Sequence, residues 1–429
     1  MRVCVVGAGH IGLPTGCLIA DAGYDVIETD VKEEIVDKIN AGESHVHENG
    51  VPELVKKVVN AGKLKATTDV IGAIKKADVI LVIVPTPLGL DGPNMNAINT
   101  AGKTIAKGLK RGALIILEST VYPETTEKHF KELIEKTSNM ECGSDFYLAY
   151  SPERAMPTKT LYEIKNNARI VGGVDEKSGE KAKEFYEKFI DGEVVLVDNS
   201  TVAEFIKLTE NIYRDVNIAL ANEIAAVAAK LKIDVEQIIE LANMHPRVNI
   251  HRPGAGVGGH CLPKDPYFLI NKARELGVET ELINTARKIN EKMPEEVVNI
   301  VEKGLGKLGK SVENSKIAVL GYAYKGDTSD YRGTPSIRIV HELQSLGGKV
   351  AVHDYFVLSD GIRIEQDVDS TVQGADCIIV VTDHSDYRKL NIEKLAKECN
   401  SPALFVDGRN MFDRKETEKA GFKYCGIGH

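Results

Sequence analysis

A glycine-rich turn near the start narrows the possible folds more than anything else in the chain. Gly7-Ala8-Gly9-His10-Ile11-Gly12 follows the apolar run 2–6 and opens an amphipathic stretch over 11–22. Between a strand and a helix, three glycines at this spacing serve a tight turn, a close approach of backbone to a diphosphate, and close helix–strand packing. The helix start also directs N–H groups at the anion. Asp30 ends the next apolar run, 26–29, at about the 20-residue spacing from which a carboxylate accepts hydrogen bonds from the adenosine ribose. Its charge repels a 2′-phosphate, so the pattern favours NAD over NADP. Without a strand before and a helix after it, the same sequence is only a turn.

The first 150 residues continue the alternation. Runs 79–84, 113–117 and 146–150 read as buried strands, and 31–41, 52–61, 96–109 and 124–137 as helices. Strands alternating with helices predict a parallel sheet covered on both faces. A further strand-helix-strand unit over 169–197 extends it. The stretch 201–232 lacks proline and glycine and carries apolar residues at helical spacing, which predicts one long helix. Helices are expected over 235–242, 266–276 and 280–305. Alternation then returns, with strands at 316–320, 349–353, 377–382 and 404–406 and helices at 335–346, 369–374 and 392–398. The fold class expected is α/β. It comprises two Rossmann-like doubly wound parallel-sheet domains joined by a long central helix and a helical dimerisation segment. The divisions expected are 1–198, 199–310 and 311–429.

Composition excludes other classes. Lys and Arg number 54 against 63 Asp and Glu, a net charge of −9, so no basic face for nucleic acid is indicated. No stretch reaches the roughly 18 apolar residues of a membrane span, and no signal peptide is visible at the start. Seven cysteines without a CxxC pair suggest free thiols in a reducing cytoplasm. His245, His251 and His260 cluster without carboxylates at ligand spacing, so no metal site is expected.

The chemistry-bearing residues lie at strand ends and in the middle of the chain. Pro85-Thr86-Pro87 and Glu118-Ser119-Thr120 follow strands, where ligands of parallel sheets bind; alone they are turn residues. Cys261 follows the glycine-rich 254–259 loop, with Lys264 nearby and a helix start beyond, a setting that can favour a thiolate. A small buried thiol beside a turn fits the same residues. Lys207 and Asn211 share one helix face at i, i+4, which by itself is a solvated face.

Taken together, the ordered motifs resemble the UDP-glucose/GDP-mannose dehydrogenase family over essentially the full length. They are GAGHIG with Asp30, PTP at 85–87, EST at 118–120, SPER at 151–154 and AEFIKLTEN at 203–211. GVGGHCLPKDP at 256–266, GYAYKGDTSDYRGTPS at 321–336 and DGRN at 407–410 complete the set. The resemblance implies a four-electron, NAD-dependent oxidation of a UDP-sugar 6-hydroxyl to a carboxylate. It implies catalytic roles for Cys261 as nucleophile, Lys207 and Asn211 at the oxyanion, Asp265 in water or proton handling, and Glu153 with Thr120 in hydrolysis. Pro85, Thr86, Thr120 and Lys325 would join Gly7, Gly9, His10, Ile11, Gly12 and Asp30 at the cofactor. Glu153, Arg154, Lys207, Asn211, Arg214, Gly258, Tyr324, Lys325 and Arg409 would hold the sugar nucleotide. Arg247, His251 and Arg252 lie where family members reach a neighbouring subunit's substrate, which implies a homodimer or larger homo-oligomer.

His260 before the cysteine and the 245–250 segment HPRVNI resemble the family's N-acetylated hexosamine branch, whereas Leu262-Pro263-Lys264-Asp265 resembles the glucose branch. A two-electron hydroxyacid dehydrogenase or a non-catalytic NAD sensor would share the first domain. Neither has a reason to combine Cys261, Lys207 and Glu153, and fold alone does not decide.

Overall fold

The computed structural model describes residues 1–90, 92–156 and 158–429. They form two compact units, Met1–Glu210 with Tyr267–Val278, and Asn211–Pro266 with Glu279–His429.

The first unit is built on an eight-stranded sheet. Its order is Val194–Val197, Arg169–Gly173, Tyr147–Tyr150, Leu114–Leu117, Val79–Val82, Arg2–Val6, Asp25–Thr29 and Leu64–Thr67. Alternation along Arg2–Val6 sends Val3 and Val5 into one hydrophobic core and Cys4 and Val6 into another on the opposite face. Both faces are therefore covered, as parallel strands require. The six strands from Tyr147–Tyr150 to Leu64–Thr67 are parallel.

The last two depart from the all-parallel expectation. Arg169–Gly173 runs antiparallel to Tyr147–Tyr150, pairing Gly172 with Tyr150, and Val194–Val197 is parallel to Arg169–Gly173. The intervening helix Thr160–Asn166 has 7 residues. That is about 10 Å, too short to carry the chain back to the far end of the sheet. Ile164 and Leu161 of that helix join the core on the Val3 side. The chain thus re-enters the sheet at the end it left.

The second unit holds six parallel strands in the order Ile364–Glu365, Lys349–His353, Lys316–Leu320, Cys377–Val380, Ala403–Asp407 and Phe422–Gly426. Counted along the chain this is the 3-2-1-4-5-6 order of dinucleotide-binding sheets, and the six parallel strands of the first unit follow it too. The fold is two Rossmann-like domains with a long central helix, Ser200–Leu231, of 32 residues. That helix begins in the first unit and ends in the second. Helices Val235–Asn243 and Glu281–Lys307 belong to the second unit, whereas Tyr267–Val278 belongs with the first. Among the described residues no helix is long and apolar enough to cross a membrane, and no cluster of His, Cys, Asp and Glu is suited to a metal.

Candidate active site

The glycine-rich turn has the shape its spacing predicts. Gly7 has φ +107°, and a Cβ there would stand 2.2 Å from the Ile83 carbonyl oxygen. A Cβ on Gly12 would stand 1.8 Å from the Gly7 carbonyl oxygen, so the helix Gly12–Asp21 can seat itself only on glycine. Gly9 faces the opposite situation: among the described residues nothing lies within 4 Å of its would-be Cβ. The first and third glycines are thus demanded by packing, and the second opens onto the space a diphosphate would fill. Asp30 is partly exposed and uses one oxygen to cap the Lys32 N–H at 2.9 Å. The residues present therefore fit a dinucleotide. His45, in the loop after helix Glu33–Asn40, lies beside the Ala8 carbonyl, His10 and Asp30, and burial lowers its pKa.

At the strand ends, the PTP and EST segments are tied together. Ser119 Oγ donates to the Val84 carbonyl at 2.8 Å and accepts the Val84 N–H at 2.9 Å, while Thr86 Oγ1 donates to the Thr120 carbonyl at 3.0 Å.

The SPER turn is held from below by Arg169. This arginine pairs with Glu118 at 2.8 Å and with Glu153 at 2.7 Å, all three nearly out of solvent. Burial works against ionisation of Glu153, but the Arg169 guanidinium and the Ala155 and Arg154 N–H groups outweigh it and keep the carboxyl below its ordinary range. Burial pushes the Glu118 carboxyl up in spite of the same arginine. Two carboxyls sharing one cation are thereby pushed apart, Glu153 downward and Glu118 upward. Lys207 donates its ε-ammonium to the Glu153 main-chain carbonyl at 2.7 Å, and Arg154 pairs with Glu210 at 2.8 Å.

In the second unit, Asn211 donates to Asp265 at 2.6 Å, both side chains buried. Lys264 stands 3.7 Å from the other Asp265 oxygen. The Cys261 carbonyl receives the N–H groups of Lys264 and Asp265 at 3.0 and 2.8 Å, so the thiol-bearing residue closes the start of helix Asp265–Glu275. Cys261 is half-buried and within electrostatic reach of Tyr324 and Arg332.

The loop before it packs on Tyr324: a Cβ on Gly258 would meet the Tyr324 Cβ at 2.6 Å, and Gly259 has φ +88° against the Tyr324 ring. Arg409 reaches the same place, donating to the carbonyls of Val381 at 2.8 Å and Tyr324 at 3.3 Å. Lys325, next in the chain, is half-buried.

The structure thus brings together Gly258, Tyr324, Cys261 and Arg409. Arg214 is exposed and acts electrostatically on both Tyr324 and His251. Arg247 is exposed, and Arg252 is turned toward Glu236 at 3.1 Å.

Sequence reasoning missed two supports. Arg169 opens a buried strand, RIVGG, and a charge at that place is the signal that could have found it. The other is a buried relay under the loop. Arg287 pairs with Asp215 at 2.6 Å, and Asn290 donates to that carboxylate at 2.9 Å. Asn222 donates to Asn290 at 3.1 Å and accepts the Gly254 N–H at 3.0 Å.

The second sheet repeats the first turn with a different outcome. Gly321 follows its first strand with φ +101° and donates to the His353 carbonyl at 2.8 Å, as Gly7 donates to Thr29 at 2.9 Å. Asp354 stands at the Asp30 position, but is fully buried. It accepts N–H groups from Tyr322, Ala323, Phe356 and Val357 at 2.6–2.9 Å, and lies 3.0 Å from His384.

Three family models cover the chain: the NAD binding domain of the UDP-glucose/GDP-mannose dehydrogenase family at 1–190, its central domain at 201–292 and its UDP binding domain at 318–414. A UDP-N-acetyl-D-mannosamine dehydrogenase of Pyrococcus horikoshii is 42% identical over 100% of this chain and 99% of its own. One of Methanocaldococcus jannaschii is 40% identical over 100% and 96%. The solved structure of the UDP-D-ManNAc dehydrogenase from Pyrococcus horikoshii superimposes with a TM-score of 0.94, covering 100% of this chain and 99% of that one.

Proposed function

Since the chain belongs to the UDP-glucose/GDP-mannose dehydrogenase family, and is an NAD-dependent UDP-sugar dehydrogenase, we propose that its substrate is UDP-N-acetyl-D-mannosamine, oxidised to the 6-carboxylate. The observation that carries this reading is the full-length likeness, at 42% and 40% identity, to two enzymes named for that substrate. The His260–Cys261 pair and the 245–250 segment support it.

Bound at residues 7–12 and Asp30, NAD supplies the hydride acceptor for each of two oxidations. The chain's own residues do the rest. In the first oxidation the 6-hydroxyl loses a hydride and a proton and becomes an aldehyde. The Cys261 sulfur adds to that carbonyl, and the resulting thiohemiacetal loses a second hydride to give a thioester. Water then displaces the thiol, releasing the carboxylate. The balance is one alcohol, one water and two NAD consumed, and one carboxylate, two NADH and three protons formed.

Lys207 and Asn211 are assigned to the oxyanion, by charge and by hydrogen bond. Asp265 holds the Asn211 amide and takes part in proton handling. Thr120 and Glu153 are assigned to hydrolysis. Arg169 lowers the basicity of Glu153. Tyr324, Lys325, Arg409, Arg154, Arg214 and Gly258 are assigned to the sugar nucleotide, the arginines by paired donors to its diphosphate. Pro85 and Thr86, with Lys325, are assigned to the cofactor.

The working divisions proposed are 1–198, 199–310 and 311–429, and the protein is placed in the cytoplasm. Tyr213, Leu220 and Val227 are 50%, 47% and 60% exposed at seven-residue steps of the long helix. We assign that face to pairing with a second copy, and Arg247, His251 and Arg252 to the neighbour's substrate.

The test is the NADH formed per sugar nucleotide consumed, at saturating NAD in reducing buffer. Two NADH per UDP-N-acetylmannosamine is expected. One per sugar overturns the covalent route, and turnover of UDP-N-acetylglucosamine or UDP-glucose instead overturns the sugar assignment.

A further inference from the structure

We propose that Arg169 is a positioning residue for Lys207, acting through the SPER turn. The proposal rests on the reading of Lys207 as the cation that steadies the oxyanion.

Arg169 is 4% exposed, and each arm of its guanidinium is engaged. Nε donates to Ser151 Oγ at 2.8 Å, Nη1 to Glu153 at 2.7 Å, and Nη2 meets Glu118 at 2.8 Å. The guanidinium Cζ lies 4.6 Å from the centre of the Tyr186 ring, and the Tyr186 hydroxyl donates to Glu118 at 2.6 Å. Ser151 passes its own hydroxyl on to the Ile170 carbonyl at 2.8 Å. Four side chains from three segments of the first unit therefore converge on one cation. A planar fork with fixed donor directions can satisfy three of them at once, which a lysine cannot.

The convergence fixes a single turn. The Glu153 oxygen not held by Arg169 accepts the N–H groups of Arg154 and Ala155, both at 2.6 Å. The side chain thus clamps its own backbone, and it cannot swing without opening the turn. The main-chain carbonyl of the same residue then receives the Lys207 ammonium at 2.7 Å. Arg154 braces the other side, donating to Glu210 at 2.8 Å and to the Ala168 carbonyl at 2.7 Å. Residues 207 and 210 lie on one helix, so the turn grips that helix at two points.

A lysine ammonium on a four-carbon stem samples many rotamers unless something holds it. Reactions that need a charge at one place lose rate when that charge is free to wander. Arg169 supplies the hold at one remove, since it keeps the carbonyl still. The antiparallel strand Arg169–Gly173 makes this possible. Its first residue lies at the sheet end where Glu118 and the SPER turn emerge, a place the first residue of a parallel strand would not occupy.

The test compares Arg169→Lys, Lys207→Ala and the double variant by single-turnover NADH formation at high enzyme concentration. Arg169→Lys is expected to lower the rate about tenfold. The KM for the UDP-sugar and the Kd for NAD should stay within about twofold. Added to Lys207→Ala, it should cost less than about twofold more, since the group it positions is already gone. The same tenfold loss in both backgrounds, or an NAD Kd that rises in step with the rate loss, overturns the proposal. Ser151→Ala removes one arm only and should show the same pattern at smaller size, which covers the case of an Arg169→Lys chain that does not fold.

A wild-type protein that forms no NADH from any UDP-sugar defeats the reading of Lys207 and not the coupling. The coupling is then read by acetylating surface amines and following Lys207 by mass spectrometry. Faster acetylation in Arg169→Lys supports it, and an unchanged rate overturns it.

Discussion

Asn211 gives its side-chain N–H to Asp265 across 2.6 Å, and neither group sees solvent. The contact joins the long central helix to the first residue of helix Asp265–Glu275, just past Cys261. Asn211→Ala leaves a buried carboxyl oxygen without its donor, which costs about 1–3 kcal/mol. Thermal unfolding should shift down by roughly 2–4 °C per kcal/mol, and turnover should fall more than NAD affinity does. Unaltered melting would remove the bond from the list of what holds this region.

The glycines of the first turn should separate cleanly. Gly7→Ala must push its new methyl into the Ile83 carbonyl at 2.2 Å and adopt φ +107°, so the folded state is destabilised with or without cofactor. Gly9→Ala meets open space and should leave melting of the free protein unchanged. NAD binding should weaken by at least about tenfold, or about 1.4 kcal/mol, because the methyl occupies the diphosphate's approach. Calorimetric titration with NAD beside a melting curve decides both.

Cys261→Ala should bind NAD normally and yield no carboxylate. In the wild-type enzyme, hydroxylamine added during turnover should trap the acyl group, because Glu153 is held as a weak base. Carboxylate from Cys261→Ala, or no trappable acyl group in the wild type, would each count against the thioester.

Asp354 makes the second domain acid-sensitive. Burial opposes its charge, but His384 and the main-chain donors win and bring its pKa down to about 2, from an ordinary 3.8. A depressed carboxyl stabilises the fold above its unfolded pKa and loses that contribution as pH falls. About 2 kcal/mol should therefore disappear between pH 3.8 and about 2. Asp354→Asn should be destabilised at pH 7 and should lose about 2 kcal/mol less than the wild type across that acid window. A variant that keeps the wild-type slope would show that another group titrates there.

Much of this was legible in the chain. The glycine turn, Asp30, the long helix and both sheets follow from spacing and alternation, because strand burial and helix faces are local properties. Strand direction is not. Alternation in RIVGG says that 169–173 is buried, and is silent on whether it runs with or against Tyr147–Tyr150. That silence also hid Arg169, whose partners lie 16 and 51 residues before it, at Glu153 and Glu118. Edge strands were harder for another reason. LKAT at Leu64–Thr67 and FKYCG at Phe422–Gly426 carry polar residues on an exposed side and look like connections. Within the expected helix 124–137, Thr125–Phe130 is wound as a π-turn before the α-helix Lys131–Ser138 begins. Its cause lies elsewhere in the chain: Glu204 accepts the N–H groups of Glu124 and Thr126 at 2.7 and 2.8 Å.

The contrast between Asp30 and Asp354 bears on timing. One strand-end acid can still take up a ribose, and its counterpart has been absorbed into its own domain. A chain with a single open dinucleotide turn cannot hold two nicotinamides together. On the proposed two-step oxidation, the reduced coenzyme departs halfway through and a fresh oxidised one arrives while the half-oxidised sugar waits. An untethered aldehyde would be lost during that exchange, so the lifetime of the sulfur adduct must outlast a coenzyme swap.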